Sequence, residues 1–403
     1  MKTTRILSLV LVIVMLLSCF VACGPEETKK ETIMIWVSEL EGATDLAQEQ
    51  VNRFLEAHPE YKDKYEIKIE GVSEADAASQ VLTDVASAPD IYCFAQDQLA
   101  RLVQASALLA PGKNAAANIA ENNDSVSVAA GSVGGTLYAY PMTSDNGYYL
   151  YYDKSIVTDP SSLEAIVDAC LGAGKKFAFE LENAWYTASF FIGVGCESVW
   201  ETDDDGNFTG IQDDWNSEKG AIAMKGMQIL TKTDAYLNSS ADFESAAVVT
   251  GIWNANTAKD AYGDNLGVCK LPTFTVDGTT YQLGSFSGNK LMGAKPQATA
   301  ERGAFCSALA QFLTSEECQL ERYAKFQWGP SNLKAQANED VKANESLAAL
   351  AAQGAHAIPQ GNIHGDWWNI AAALGDYAKN ATSEQELKDY LGAYENSIKG
   401  LIK

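Results

Sequence analysis

A chain of 403 residues is long for a single hydrophobic core and points to two domains or one large one. Its apolar content of 47% and charged content of 20% are those of an ordinary water-soluble globular protein. A formal charge of −24 repels phosphate backbones and anionic lipid headgroups, which argues against nucleic acid or an acidic membrane surface as partner and favours neutral or cationic ligands.

The first residues read as a targeting signal. Lys2 and Arg5 form a basic start, Ile6–Leu17 is almost continuously apolar, and Ser18-Cys-Phe-Val-Ala-Cys-Gly24 sets a small residue before a cysteine. The apolar stretch is short for a bilayer span. The segment resembles a bacterial lipoprotein signal, which implies removal of residues 1–22 and lipidation of Cys23, with 23–32 as a polar tether. Cys19 is the alternative anchor.

Ile33–Val37 is a short apolar strand. Thr44 or Asp45 then caps a helix whose Ala47, Val51, Phe54 and Leu55 recur at helical spacing. Tyr65, Ile67 and Ile69 alternate with charged residues as a strand does, and Ala77, Val81, Leu82 and Val85 follow at helical spacing. Ile91–Phe94 is a buried strand by its unbroken apolar run, with Gln96, Asp97 and Gln98 delivered at its carboxyl end. In open α/β sheets that end forms the ligand crevice, so Phe94, Asp97 and Gln98 are placed to meet a ligand. The competing reading makes Asp97 the cap of a helix over Leu99–Leu109. Strand–helix–strand–helix–strand is an α/β lobe.

A second α/β lobe begins near Tyr148. Leu137–Pro141 reads as a strand, Met142–Gly147 as an irregular crossing, and Tyr148–Tyr152 as a new strand. Ser161–Leu171 is a helix, and Lys176–Leu181 a strand ending in Glu182-Asn-Ala-Trp-Tyr-Thr187. Glu201-Thr-Asp-Asp-Asp-Gly206 with Gln212 partly matches a calcium loop, but a hairpin turn with Gly206 at its tip suits the residues better. Ala246–Ile252 is apolar and ends in Trp253. Gly267–Leu271 and Tyr281–Ser285 are further strands, with Gly284–Gly288 as a second crossing. Ala300–Leu313, Glu316–Phe326 and Ser346–Gly354 are helices, and a final helix starts with Trp367 and Trp368. The domains so drawn are 33–143 plus 289–340 and 144–288 plus 341–403. Cys93, Cys170, Cys196, Cys269, Cys306 and Cys318 show no CxxC spacing, and with 3 histidines they argue against a zinc site. Spacing alone leaves open a bond between Cys306 and Cys318.

Ile35-Trp-Val, Pro89-Asp-Ile-Tyr-Cys-Phe-Ala-Gln-Asp97, Ala139-Tyr-Pro141, Tyr152-Asp-Lys154, Gly251-Ile-Trp253, Leu271-Pro-Thr-Phe274 and Ile358-Pro-Gln360 keep a familiar order over the whole chain after the signal. In them the chain resembles the maltose/maltodextrin-binding branch of extracellular solute-binding proteins. The resemblance implies two α/β lobes joined by crossing segments, a ligand between them, and hinge closure. It also implies no catalysis, no cofactor and no metal. The partners it implies are an oligosaccharide and the membrane subunits of an ABC permease, met by a monomer held at the outer face of the cytoplasmic membrane. Carried over by position, the family's cleft aromatics match Phe94, Trp185, Tyr186, Trp253 and Trp367, and its cleft acids match Asp97 and Asp145. Asn183 stands where a further acid is usual, Leu40 and Glu41 where an Asp-Lys pair is, and Gln98 where an arginine is. These departures bear on which sugar binds.

The residue types suit a sugar. Aromatic rings cover its apolar C–H face, while carboxylates and amides meet the rim of hydroxyls. Two other classes fit parts of the pattern. Asp97 and Asp145 as a carboxylate pair would make a glycosidase. Tyr148, Tyr149, Tyr151 and Tyr152 resemble ferric-ion ligands, although alternating tyrosines in a strand usually pack.

Overall fold

The computed structural model describes residues 30–361 and 363–402. The signal segment and Cys23 lie outside the described residues. Two five-stranded sheets organise the chain, each with helices on its faces.

The first sheet runs Tyr65–Gly71, Glu31–Val37, Ile91–Ala95, Lys290–Ala294, Tyr140–Pro141. Ile33, Ile35 and Val37 are buried and alternate with the half-buried Met34 and Trp36, as a strand covered mainly on one face requires. Ile91–Ala95 is buried at every position because it is central, parallel to Glu31–Val37 and antiparallel to Lys290–Ala294. That pairing sets Lys290 opposite Ala95, at the carboxyl end of the central strand. The helices Ala43–Ala57 and Ala300–Leu313 pack on each other, the latter also on Lys290–Ala294.

The second sheet runs Tyr236–Leu237, Phe177–Ala178, Ala247–Gly251, Tyr148–Asp153, Leu266–Cys269. Its central strand Ala247–Gly251 is buried throughout. The helix Trp367–Asn380 packs against Ala184–Gly193, Glu218–Thr231 and Glu384–Lys399 on this side, and Glu345–Gly354 packs against Tyr148–Asp153 and Leu266–Cys269.

Three segments carry the chain between the sheets, and they are bonded side by side. Met142 and Thr143 both donate their backbone N–H to the Lys290 carbonyl, Asn146 donates to Gly288, and Ser144 donates to Gly329. The Asp145 side chain accepts from the Gly329 N–H. The crossings thus form one hydrogen-bonded strip between the lobes.

Several elements differ from the sequence expectation. The helix Ala43–Ala57 starts after Gly42 in the left-handed conformation, with neither Thr44 nor Asp45 as its cap. The strand expected over Lys176–Leu181 contracts to Phe177–Ala178, and the helix expected over Leu99–Leu109 ends at Gln104. Leu137–Pro141 divides between a small hairpin at Thr136–Leu137 and the sheet strand Tyr140–Pro141. The helices Ala184–Gly193 and Glu218–Thr231 were not anticipated, and Trp367 opens the penultimate helix, not the last. Glu201–Gln212 is a hairpin, Ser198–Thr202 with Phe208–Asp213, whose turn is held by Asp203 accepting from the N–H groups of Asp205 and Asn207. Cys306 and Cys318 are both buried free thiols.

Candidate functional site

A cleft of about 600 Å³ lies between the lobes, within the range that small-molecule sites occupy. In the first lobe Ile91–Ala95 runs into a tight turn, Gln96–Gln98, and then the helix Leu99–Gln104. The chain changes direction at the sheet's edge, so the polar residues of the turn line the cleft. Asp97 makes no helix cap. One of its oxygens accepts from Gln360 Nε2 at 2.9 Å and the other from Gln98, whose own carbonyl accepts from Arg101 Nη1 at 2.7 Å. Asp97 is only 2% exposed, and burial pushes its carboxyl up to about 7 against the opposing pull of its own backbone N–H, the Trp368 indole, Arg101 and Gln98. Gln360 follows the strand Ala357–Pro359 beside the crossing, and its Oε1 accepts from Asn146 Nδ2 at 3.2 Å. A chain of side-chain bonds therefore runs from the crossing through Gln360 to the first-lobe acid.

The second lobe repeats the plan. Ala247–Gly251 runs into a tight turn, Ile252–Asn254, and then the helix Ala255–Tyr262, which puts Trp253 at the cleft. Gly251 is there for space: a Cβ would lie 2.1 Å from the Trp253 ring. Trp185 sits in the first turn of Ala184–Gly193, which Asn183 caps by accepting from the Trp185 N–H at 3.1 Å. Its carbonyl accepts from the Tyr148 hydroxyl at 2.7 Å, and its ring lies 5.7 Å from that of Trp253, tilted by 35°. Trp185 Nε1 is buried with no partner among the described residues, a donor left for something in the cleft. Tyr186 packs against Tyr148 and Phe179 and shows part of its ring to the cleft, and Trp368 closes the same wall.

Asp97, Gln98, Asn183, Trp185, Tyr186 and Trp253 thus come together on one cavity. Four expected residues do not. Phe94 is wholly buried beside Tyr92 in the first-lobe core, because a strand covered on both faces frees only the residues beyond its end. Asp145 is buried in the crossing strip, where it holds Gly329. Trp367 is 1% exposed in the second-lobe core, its indole N–H donating to the Tyr394 hydroxyl at 2.9 Å. Glu41 is exposed and off the cleft, which its neighbour Leu40 lines instead. Sequence reasoning missed Glu74, Arg101, Glu180, Lys290, Gln360 and Trp368. Of these, Gln360 was within reach, since it ends the segment Ile358-Pro-Gln360 that carries part of the family resemblance.

Two sheets, three crossings and an aromatic-walled cleft between them are the architecture of a two-lobed solute receptor. Residues 49–349 match the family model described as bacterial extracellular solute-binding protein, and the chain belongs to that family. The family places it outside the cell and among binding proteins. A structure solved with acarbose superimposes with a TM-score of 0.78 at 27% identity, over 92% of this chain and 100% of that one. The maltodextrin-binding protein MalE1 from L. casei BL23, without ligand, gives 0.75 at 22%, over 92% and 99%. The maltose-maltodextrin binding protein of Alicyclobacillus acidocaldarius gives 0.75 at 18%, over 91% and 100%. A comparison with curated protein sequences found no match.

Proposed function

We propose that the chain binds a neutral oligosaccharide, a maltodextrin foremost, between its lobes and hands it to an ABC importer, held at the cell surface through a lipid on Cys23. The observation that carries this reading is the cleft wall. Trp185, Trp253 and Trp368 offer ring faces, while Asp97, Gln98, Asn183 and Glu180 offer acceptors and donors around them. That is the complement of a sugar ring, whose faces are apolar and whose rim is hydroxylated. The solved structure with acarbose, 27% identical, supports an oligosaccharide ligand. The carboxylate pair Asp97 and Asp145 of a glycosidase finds no support in the geometry, because Asp145 does not line the cleft that Asp97 lines. Nor do the tyrosines gather into a metal site: Tyr149 and Tyr151 bond each other inside the core, and Tyr148 bonds Trp185 and Ser189.

A thermal-shift panel of α-glucans, β-glucans, xylo- and galacto-oligosaccharides tests the reading. A ligand at about 100 times its dissociation constant raises stability by roughly 2.7 kcal/mol, an easily measured shift. We expect maltotriose and longer α-glucans to shift the midpoint. A shift with another class alone would move the reading to that sugar, and none with any would refute oligosaccharide binding.

A further inference from the structure

Lys290 is the least expected residue in the cleft. Its pairing opposite Ala95 brings its side chain out beside the turn that carries Asp97. It is 6% exposed, and its ammonium lies 3.8 Å from the centre of the Trp328 ring and 5.4 Å from that of Trp253. The carboxylate nearest to it is Glu74, whose Oε1 is 3.8 Å away, beyond the roughly 2.7–3.2 Å of a hydrogen bond. Asp145, buried in the crossing strip outside the cleft lining, also feels the Lys290 charge. The Glu74 oxygen is buried and has no hydrogen-bond partner among the described residues. Glu74 and Lys290 both line the cleft.

An ion pair built to hold the fold would close this gap, because buried charges without hydrogen bonds stabilise little or nothing. Here the ammonium rests on ring faces and the carboxylate oxygen waits unpaired. A hydroxyl group completes both, since it donates to an acceptor and accepts from a donor through the same oxygen. We propose that Glu74 and Lys290 form a pair that reads one hydroxyl on the rim of the sugar ring stacked at Trp253. The proposal rests on the oligosaccharide reading above and names what the first lobe contributes to it. It also sets the ligand's charge at this position. A carboxylate there meets Glu74, an amine there meets Lys290, and a deoxy position leaves both groups unpaired.

The test is calorimetric titration of maltotriose into the wild type, Glu74→Gln, Lys290→Met and the double variant, with a thermal midpoint for each. Hydrogen bonds to charged groups predict a loss of roughly 10- to 150-fold in affinity for each single variant. The double variant is expected to bind about as weakly as the weaker single one, since the two groups share one hydroxyl. Glu74→Gln keeps the shape of the side chain and guards against a folding defect in Lys290→Met. Wild-type affinity in both single variants overturns the pair, and so does a lowered midpoint with unchanged affinity. If the wild type itself ignores maltotriose, the α-glucan reading fails and the pair falls with it.

Discussion

Trp367 and Trp368 are neighbours in sequence but about 100° apart around their helix, and they serve different environments. Trp367 packs against Trp215 and Phe286 in the core, and Trp368 lines the cleft. The stripe Trp367, Ala371, Leu374 and Ala378, at helical spacing, sets this phase, and Trp368 lies off it. Trp367 is held by Tyr394, 27 positions on, in a helix whose apolar residues Leu387, Leu391, Tyr394 and Ile398 recur at helical spacing. Asp97 was legible because it directly follows an unbroken apolar strand, whereas Lys290 was hidden because its position depends on register with a strand almost two hundred residues earlier. The difference between a cleft and a core tryptophan is measurable. Trp253→Ala should cost about 1–3 kcal/mol of binding, roughly 5- to 150-fold in affinity, with a modest change in urea midpoint. Trp367→Ala should instead cost about 3–5 kcal/mol of stability and leave the affinity of the folded fraction intact. Fluorescence titration and urea denaturation of both variants would show whether the assignments are reversed.

At the level of elements, one local plan serves both lobes: buried strand, tight turn, helix. The strands were legible because continuous apolar runs mark burial on both faces. The helix Ala184–Gly193 was not, since seven of its residues are buried and no polar stripe betrays its period. Glu218–Thr231 was hidden differently. Gly220 and Gly226 give it no apolar signal, yet they allow close approach of the Trp215 carbonyl and the Phe274 ring. The turn after Ala247–Gly251 offers a test of the plan itself. Gly251 has an ordinary φ of −95°, so alanine strains no backbone there, but the new methyl group collides with the Trp253 indole. Gly251→Ala should therefore move the ring, weaken sugar binding and alter the indole emission while largely preserving the thermal midpoint. Unchanged binding would show that the ring's seat against Gly251 is unimportant.

Across the molecule, the crossing strip and a contact on the cleft's far side fix the relation of the lobes. The tip of the Ser198–Asp213 hairpin reaches from the second lobe to the first, where Gln104 donates to Asn207 at 2.8 Å. Any side chain at Gly206 would meet the Ala100 carbonyl at 2.4 Å. If the cleft opens by hinge rotation, this contact must break, and closure on ligand would restore it. Small-angle scattering should accordingly show a smaller radius of gyration with maltotriose at saturation than without it. An unchanged radius would count against hinge closure. Asn146-Gly147 and the glycines at both ends of Gly284-Ser-Phe-Ser-Gly288 pointed to the crossings in the sequence. The role of Asp145 as their tie did not appear there, because a carboxylate bonding one backbone N–H leaves no pattern.

The strand Lys290–Ala294 lies between Ile91–Ala95 and Tyr140–Pro141, so the amino-terminal sheet is incomplete until the chain is synthesised past residue 294. All five strands of the other sheet fall between Tyr148 and Cys269. The later-made sheet thus has all its strands at hand first, while the earlier-made one keeps the edge of Ile91–Ala95 open until Lys290–Ala294 arrives. Pairings so distant in sequence form slowly.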